Sequence, residues 1–407
     1  MRRSYEEIRE TVHERILSGI DYSIELADEE ILRLIDEETM RCAGEEQLTL
    51  SQMRTLRQEV FYSIRKLDVL QELVDDPGIT EIMINGTENI FIERNGRTTR
   101  YGQHFTSRQK LEDVIQTIVS SCNRVVNEAS PIVDARLENG ARVNVVMAPV
   151  ALNGPIVTIR RFPDKPIGMD DLIRFGSLST EIADFLKKLV AAGYNIFISG
   201  GTGSGKTTFL NALSDFIPKT ERIITIEDNA ELQILHIPNL VRLEARNANI
   251  EGCVPISIRD LIRSSLRMRP DRIIVGEVRG AEAIDMIQAM NTGHDGSMST
   301  GHANSASDMI SRLETMILMG MELPMPAIRG QLASGIDLII HLGRLRDGSR
   351  KLLEIAEVRG MEEGRVKLCS LCCYEETGEK NGKVLGTWRF QETLRNKEKL
   401  LRAGIAL

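Results

Sequence analysis

The chain of 407 residues contains no uninterrupted apolar run approaching the ~18 residues that a membrane-spanning helix needs. Its first residues, Met1-Arg2-Arg3-Ser4-Tyr5-Glu6-Glu7, lead into a charged helical pattern without the apolar stretch of a secretory signal, so a cytoplasmic chain is expected. It has no excess of basic charge either: 51 Lys and Arg face 59 Asp and Glu, a net charge of −8. That balance argues against a protein whose main work is gripping a nucleic-acid backbone. There is no internal repeat and no low-complexity tract. Cysteines number six, and Cys369, Cys372 and Cys373 cluster as C-x-x-C-C without the second ligand pair that zinc spacing requires. The stretch Val366–Tyr374 reads instead as a buried strand in which cysteine acts as a small hydrophobe.

What is present is unevenly distributed. Residues 1–68 carry 10 Lys and Arg against 16 Asp and Glu, six of the eight net negative charges. The acidity therefore belongs to an N-terminal segment, residues 1–75, which reads as a small helical bundle. Its stripes are Ile8-Val12-Ile16, Ile31-Leu34-Ile35-Met40, and a third from Met53 to Val74, closed by Pro77-Gly78. Over residues 76–163 the pattern changes to β-rich runs punctuated by Asn-Gly pairs at 85–86, 95–96, 139–140 and 153–154, with a helix from Ser107 to Cys122. This predicts an α+β domain. The prolines of Phe162–Gly168 open a linker over residues 164–180. From 181 to 407, apolar strands alternate with amphipathic helices, the mark of an α/β layer, before hairpins near Asp347-Gly348 and a last helix near Gln391–Arg402.

The sharpest signal follows the apolar strand Asn195–Ser199. Gly200-Gly201-Thr202-Gly203-Ser204-Gly205-Lys206-Thr207-Thr208 is G-x-x-x-x-G-K-T between a strand and a helix. Glycines let successive N–H groups curl around phosphates, and the following helix start adds positive potential. Gly201 through Thr208 are the expected nucleotide contacts. Lys206 reaches the β- and γ-phosphates, and the Thr207 hydroxyl ligates Mg²⁺.

Binding alone is not hydrolysis, which needs water activation and charge neutralisation. Arg272–Val275 is an apolar strand followed by Gly276 and Glu277. Gly276 stands where an Asp usually precedes the Glu, which leaves Glu277 as the acid for water or the Mg²⁺ shell. A second strand, Ile223–Ile226, runs into Glu227 and Asp228, either of which could assist metal or water. The Gly/Ser/Thr-rich stretch Asn291–His302 holds His294 and His302, candidate γ-phosphate sensors. A capped helix from Ser257 to Met268 carries Arg259, Arg263 and Arg267, read as a solvated or subunit-contact face. No LSGGQ signature of a transporter ATPase is present.

Together these blocks resemble the ATPases of type II and type IV secretion systems and pili, with CpaF, the assembly ATPase of tight-adherence (Flp/Tad) pili, as the nearest branch. The likeness spans roughly residues 70–360. It is carried by the P-loop, the Asp box Thr225–Leu232, the atypical Walker B block Arg269–Gly280 and the His box Thr292–Asn304. Upstream, Ala141-Arg142-Val143-Asn144 and Thr158-Ile159-Arg160-Arg161-Phe162 look like strands whose arginines reach the nucleotide.

The resemblance implies a RecA-like P-loop ATPase domain preceded by an α+β N-terminal domain and a helical bundle. It further implies a ring of six subunits that uses ATP and Mg²⁺, lies peripherally at the inner face of the plasma membrane and works on inner-membrane platform proteins. Glu277 would act with Glu227 and Asp228 on Mg²⁺ and water, His302 would sense the γ-phosphate, and Arg142, Arg160 and Arg161 would neutralise charge. ATP binding would close the hinge near Pro163–Gly168. Two departures stand out. Gly301 replaces a bulky apolar residue before His302, which implies a looser local backbone, and the C-terminal cysteines do not match the tetracysteine zinc site of some pilus-extension ATPases. The alternative readings are a DNA-transfer or nucleic-acid motor and a nucleotide-gated scaffold without turnover.

Overall fold

The computed structural model describes residues 3–20, 26–46, 48–94, 96–122, 124–137, 139–161, 166–246 and 254–407. Asn95 and Phe162–Lys165, the latter including part of the expected hinge, lie outside the described residues. The chain separates into two compact units, residues 1–164 and 165–407.

The first unit opens with helices α1 (Tyr5–Gly19), α2 (Asp28–Glu46), α3 (Leu50–Arg65) and α4 (Leu70–Asp75). Capping boxes start two of them, Ser4 with Glu7 and Thr49 with Gln52. Ile8, Val12, Ile16, Ile31, Ile35, Leu56 and Val60 fill the space between α1, α2 and α3. The third stripe is not one helix. The chain leaves α3 at Lys66 and turns through Asp68 at φ +52°, a left-handed position that a short polar side chain tolerates. Leu70, Leu73 and Val74 of α4 then join a different core, that of the adjoining sheet.

That sheet contains β1 (Ile79–Asn85), β2 (Asn89–Arg94), β3 (Arg97–Arg100), β4 (Ile132–Arg136), β5 (Arg142–Val146) and β6 (Ile156–Arg160), with α5 (Arg108–Ser121) inserted after β3. All neighbours are antiparallel in the order β3-β2-β1-β6-β5-β4. The Asn85-Gly86 pair closes the β1–β2 hairpin at φ +70° for Gly86, where a Cβ would stand 2.7 Å from the Asn153 carbonyl oxygen.

The second unit holds α6 (Met169–Arg174), α7 (Thr180–Ala191), β7 (Ile196–Gly200), α8 (Lys206–Ser214), β8 (Ile223–Glu227), β9 (Leu240–Glu244), α9 (Ile258–Ser265) and β10 (Arg272–Val275). It continues with α10 (Ala283–Asn291), β11 (Met298–Gly301), α11 (Ala306–Gly320), α12 (Met325–Gly335) and β12 (Leu338–Arg344). The chain ends with β13 (Arg350–Glu362), β14 (Arg365–Lys380), β15 (Lys383–Phe390) and α13 (Glu398–Ala403). Nine strands form one sheet in the order β15-β14-β13-β12-β7-β11-β10-β8-β9. From β12 to β9 every pairing is parallel, and β13, β14 and β15 add an antiparallel meander.

Helices cover both faces of the parallel part, and β7, β8, β10 and β11 are buried along their whole length. Alternation sorts them: Ile196 and Ile198 of β7 pack with α7 and α8, while Phe197 packs with α9, α10, α11 and α12. The cysteine cluster falls on β14, with Cys372 fully buried and Cys369 and Cys373 half-buried, and among the described residues no cluster suits a metal ion. No described helix is long and apolar enough to cross a membrane.

The chain end is tied back to the lower edge of the sheet. Lys399 Nζ donates to Asp337 Oδ2 at 2.7 Å and to the Gly193 carbonyl at 3.0 Å, and lies 2.6 Å from Asp295 Oδ1. Burial raises the Asp337 carboxyl, against the pull of Lys399. The Tyr194 hydroxyl donates to the Asn396 carbonyl, and the buried Glu357 accepts from the backbone N–H groups of Arg395 and Asn396. Removing one member of such a pair leaves the other charge uncompensated. We expect Lys399→Met to cost about 2–4 kcal/mol in a urea titration, and Lys399→Met with Asp337→Asn to recover part of it. An unchanged midpoint in the single variant would show that the latch carries no stability.

Candidate active site

Strands β7, β8, β10, β11 and β12 run parallel, so their C-terminal ends share one edge of the sheet. This is where an open α/β sheet gathers ligands. The P-loop leaves β7 there. Gly200 is held so closely that a Cβ would stand 2.5 Å from both the Leu342 carbonyl oxygen and Ser204 Oγ. Gly203 and Gly205 take φ of +71° and +93°, which favour glycine, and Gly205 caps α8. Lys206 is buried, and its Nζ donates to the carbonyls of Gly200 (3.2 Å) and Gly201 (3.1 Å) and to His302 Nδ1 (3.2 Å). Burial lowers its pKa, with the Glu277 charge opposing. Thr207 is half-buried at the start of α8. Beneath the loop, Ser199 Oγ meets His341 Nδ1 at 2.9 Å across β7 and β12.

His302 and Glu277 close a chain of contacts from Lys206. With Nδ1 accepting from Lys206, the His302 Nε2–H faces Glu277, and Nε2 lies 2.8 Å from Glu277 Oε1. Burial and then the Lys206 charge push the His302 pKa down, so the ring is neutral at pH 7. Arg279 grips the other carboxylate oxygen, Oε2, through Nε at 2.9 Å and Nη2 at 2.6 Å. Arg279 Nη1 also lies 3.6 Å from Asp228 Oδ2, which brings the exposed Asp228 to the same group. Two bonds to β11 fix the backbone under Glu277: Thr300 Oγ1 donates to the Gly276 carbonyl at 2.8 Å, and Val278 N–H to the Thr300 carbonyl at 2.9 Å. Glu277 Oε1 is buried beside His302 Nε2. The Glu277 carboxylate and the Thr207 hydroxyl are hard oxygen donors of the kind a hydrated Mg²⁺ takes, so the donor set fits the metal.

Glu227 is arranged differently. It is almost fully buried at the end of β8, and its Oε1 accepts from the N–H groups of Glu231 (2.8 Å) and Leu232 (2.9 Å). Burial raises its pKa to about 7, against those two bonds. Its side chain also explains Gly276, because a Cβ there would stand 2.9 Å from Glu227 Cγ and 3.3 Å from Oε1. The carboxylate of the neighbouring strand occupies the space an Asp side chain would need.

The other expected residues are scattered. His294 is not brought to the loop. It precedes Met298, which pairs with Ile196 at the start of β7, so it sits at the opposite edge, with Nδ1 on the Ala289 carbonyl at 3.2 Å. Arg142, Arg160 and Arg161 belong to the first unit. Arg142 opposes Arg160 across β5 and β6 and opposes Arg136 across β4 and β5, a lateral row of three. Arg161 donates to the Asp76 carbonyl.

The backbone at Gly301 is not loose. A Cβ there would meet Met309 Cε at 2.9 Å and Phe197 Cε1 at 3.0 Å, so those side chains fill the space. The stripe on α9 is likewise engaged, since Arg259 and Arg263 both donate to the buried Asp285, at 2.7 and 2.8 Å. Three residues escaped the sequence reading as site members. They are Arg279, visible only as part of the Walker B block, Arg312 on α11, and Arg350 on β13. Arg312 lines a cleft of about 570 Å³ with Gly201, Thr202, His302, Asn304 and Asp308.

The fold and site define a P-loop nucleotide-binding protein, and the comparisons give its family. Residues 64–399 match the Type II/IV secretion system protein family, and the chain belongs to that family. A Mycobacterium tuberculosis (strain H37Rv) protein provisionally named for conjugal transfer is 34% identical over 78% of this chain and 90% of its own. The type IV secretion system protein VirB11 of Brucella suis biovar 1 is 32% identical over 72% of this chain and 88% of its own. Among solved structures, the pilus retraction motor PilT with bound ADP shares the fold at a TM-score of 0.53 and 20% identity, covering 83% of this chain and 87% of that one.

A carboxyl whose pKa is raised by folding binds more protons folded than unfolded, so its contribution to stability falls as pH rises from the unfolded value toward the folded one. For Glu227 that window runs from 4.5 to about 7. We expect wild type to lose stability relative to Glu227→Gln across it, by up to about 3 kcal/mol. Parallel pH profiles of the two proteins would contradict this.

Proposed function

We propose that this chain is the Mg²⁺-dependent ATPase of a six-membered ring that powers Flp/Tad-type pilus assembly or protein secretion through an inner-membrane platform. The observation that carries the reading is the contact chain from Lys206 through His302 to Glu277, built on three parallel strand ends. Family membership and the helical module at the N-terminus support the setting, and the platform would bring the chain to the membrane face.

In this reading the P-loop residues Gly201 to Thr208 bind the phosphates of ATP. Lys206 exchanges its carbonyl partners for the β- and γ-phosphates. Thr207 and Glu277 would hold Mg²⁺, Glu277 partly through water. The metal, when bound, neutralises phosphate charge. Arg279 holds one oxygen of Glu277 and His302 meets the other, which orients the carboxylate for the attacking water. Neutral His302 connects that carboxylate to the lysine on the γ-phosphate, which lets one group register the state of the other. Asp228 reaches the same cluster through Arg279, while Glu227 shapes the Asp box by holding its backbone. To Arg142, Arg160 and Arg161 we assign neutralisation of the transition-state charge, and to the hinge the opening and closing that turnover drives.

Conjugal-transfer names among the relatives favour a second setting, a DNA-transfer system, for the same ATPase chemistry. DNA-stimulated turnover with a steep salt dependence would mark direct action on nucleic acid.

We expect Lys206→Ala to abolish nucleotide binding, and Glu277→Gln to bind ATP while losing about 10²–10⁴ in turnover. Full turnover in Glu277→Gln would remove its role. With ATP and Mg²⁺ present, light scattering should show a mass near six chains, and a monomer would contradict the ring.

A further inference from the structure

Arg350 is the first residue of β13, outside every motif of the nucleotide site, yet its Nε donates to the Gly203 carbonyl at the P-loop tip at 2.8 Å. Its stem lies against the same loop, with Cδ 3.5 Å from where a Cβ on Gly205 would stand. Among the described residues Arg350 has no acidic partner, and its cross-strand neighbour is a second arginine, Arg344. Like charges directly opposite on a sheet cost stability unless an anion shares them.

The peptide bond that Arg350 holds is the one joining Gly203 to Ser204. In a trans peptide the C=O and the following N–H point in opposite directions. Drawing the Gly203 carbonyl outward therefore aims the Ser204 N–H inward, where it donates to the Gly201 carbonyl at 3.3 Å. Lys206 Nζ meets that same carbonyl oxygen at 3.1 Å. Two donors thus converge on one oxygen inside the loop, the arrangement that a phosphate oxygen would take over.

The hairpin that carries Arg350 is itself braced. Asp347 Oδ1 accepts from Ser349 N–H (2.9 Å) and Oγ (2.6 Å), and Oδ2 from Val384 N–H (2.9 Å). Strand β12 enters this turn directly from its pairing with β7, Leu342 opposite Gly200. The loop is therefore gripped at its root by β12 and at its tip by β13.

We propose that Arg350 is a positioning residue for nucleotide phosphate, orienting the Gly203–Ser204 peptide so that its N–H serves the bound phosphate chain. This rests on the ATPase reading and adds to it a requirement for the C-terminal hairpin.

The test uses the full chain and a fluorescent ADP analogue at fixed ionic strength, together with steady-state ATP turnover and thermal melts. We expect Arg350→Ala to raise the Kd for the analogue about tenfold. KM for ATP should rise by a similar factor, more than kcat falls, and the melting temperature should stay at the wild-type value. Arg350→Lys, which keeps one donor on a flexible stem, should recover part of the affinity. Wild-type affinity in Arg350→Ala, a Lys variant no better than Ala, or lost affinity accompanied by a lowered melting temperature would each overturn the assignment. A wild-type chain that bound no nucleotide would instead sink the ATPase reading itself.

Discussion

The parallel register of β7 with β11 and β12 is the constraint on which the site depends. Ser199 opposes Gly301 on one side and His341 on the other, so the P-loop, the residue after β11 and the end of β12 emerge at one level. Because β11 also pairs with β10, the Glu277 carboxylate reaches the same edge. No local motif places Lys206 beside His302, which is 96 residues away in sequence. The pairing of three short buried strands does so, and the helices on both faces keep those strands buried and fixed. Once these ends are aligned, a lysine, a neutral imidazole and a carboxylate form one electrostatic unit. Burial lowers the pKa of both Lys206 and His302, so neither group can change its charge or its partner without affecting the other.

A second consequence of close strand spacing is the exchange between Glu227 and Gly276. Walker B sites ordinarily bring an Asp and a Glu from one strand end. Here the neighbouring β8 supplies a side chain that fills the first of those places, and the strand carrying Glu277 must have glycine there. The acid that enters this space is desolvated and bonded to backbone N–H groups, which makes it a brace for the segment 228–232. The two acids are thereby divided: Glu277 lies between His302 and Arg279 at the site, and Glu227 shapes the loop that carries Asp228.

Much of this was legible in the sequence because it is local. A strand, a glycine-rich turn and a helix start within some fifteen residues need no tertiary knowledge, and the same holds for the capping box at Ser257 and the hairpin at Asp347-Gly348. The helical stripe from Met53 to Val74 misled because periodicity continues across a break. The turn at Asp68 is a backbone event, and α4 keeps its apolar face while changing the core it joins. His294 and His302 were equivalent on the page, both histidines in a Gly/Ser/Thr-rich stretch. Only the direction of β11 separates them, one at each end of a four-residue strand. Gly301 likewise signified slack in the sequence, whereas in the fold Met309 and Phe197 occupy the space its missing side chain leaves.

What the sequence could not show was the dependence of the P-loop on residues some 140 positions downstream. Arg350 and Leu342 carry no signature of phosphate chemistry, because their contribution passes through backbone geometry: one carbonyl held outward, one glycine pressed against a neighbouring strand. A glycine-rich loop gains its ability to wrap an anion from conformational freedom, and that same freedom costs entropy when the loop must be ordered. Fixing the loop in advance at its root and its tip moves part of that cost from binding to folding. The antiparallel meander of β13, β14 and β15, which adds no acid or base to the site, is thereby connected to nucleotide affinity. On this view the C-terminal strands are a support for the phosphate loop, and the pairing of β13 with β12 supplies its rigidity.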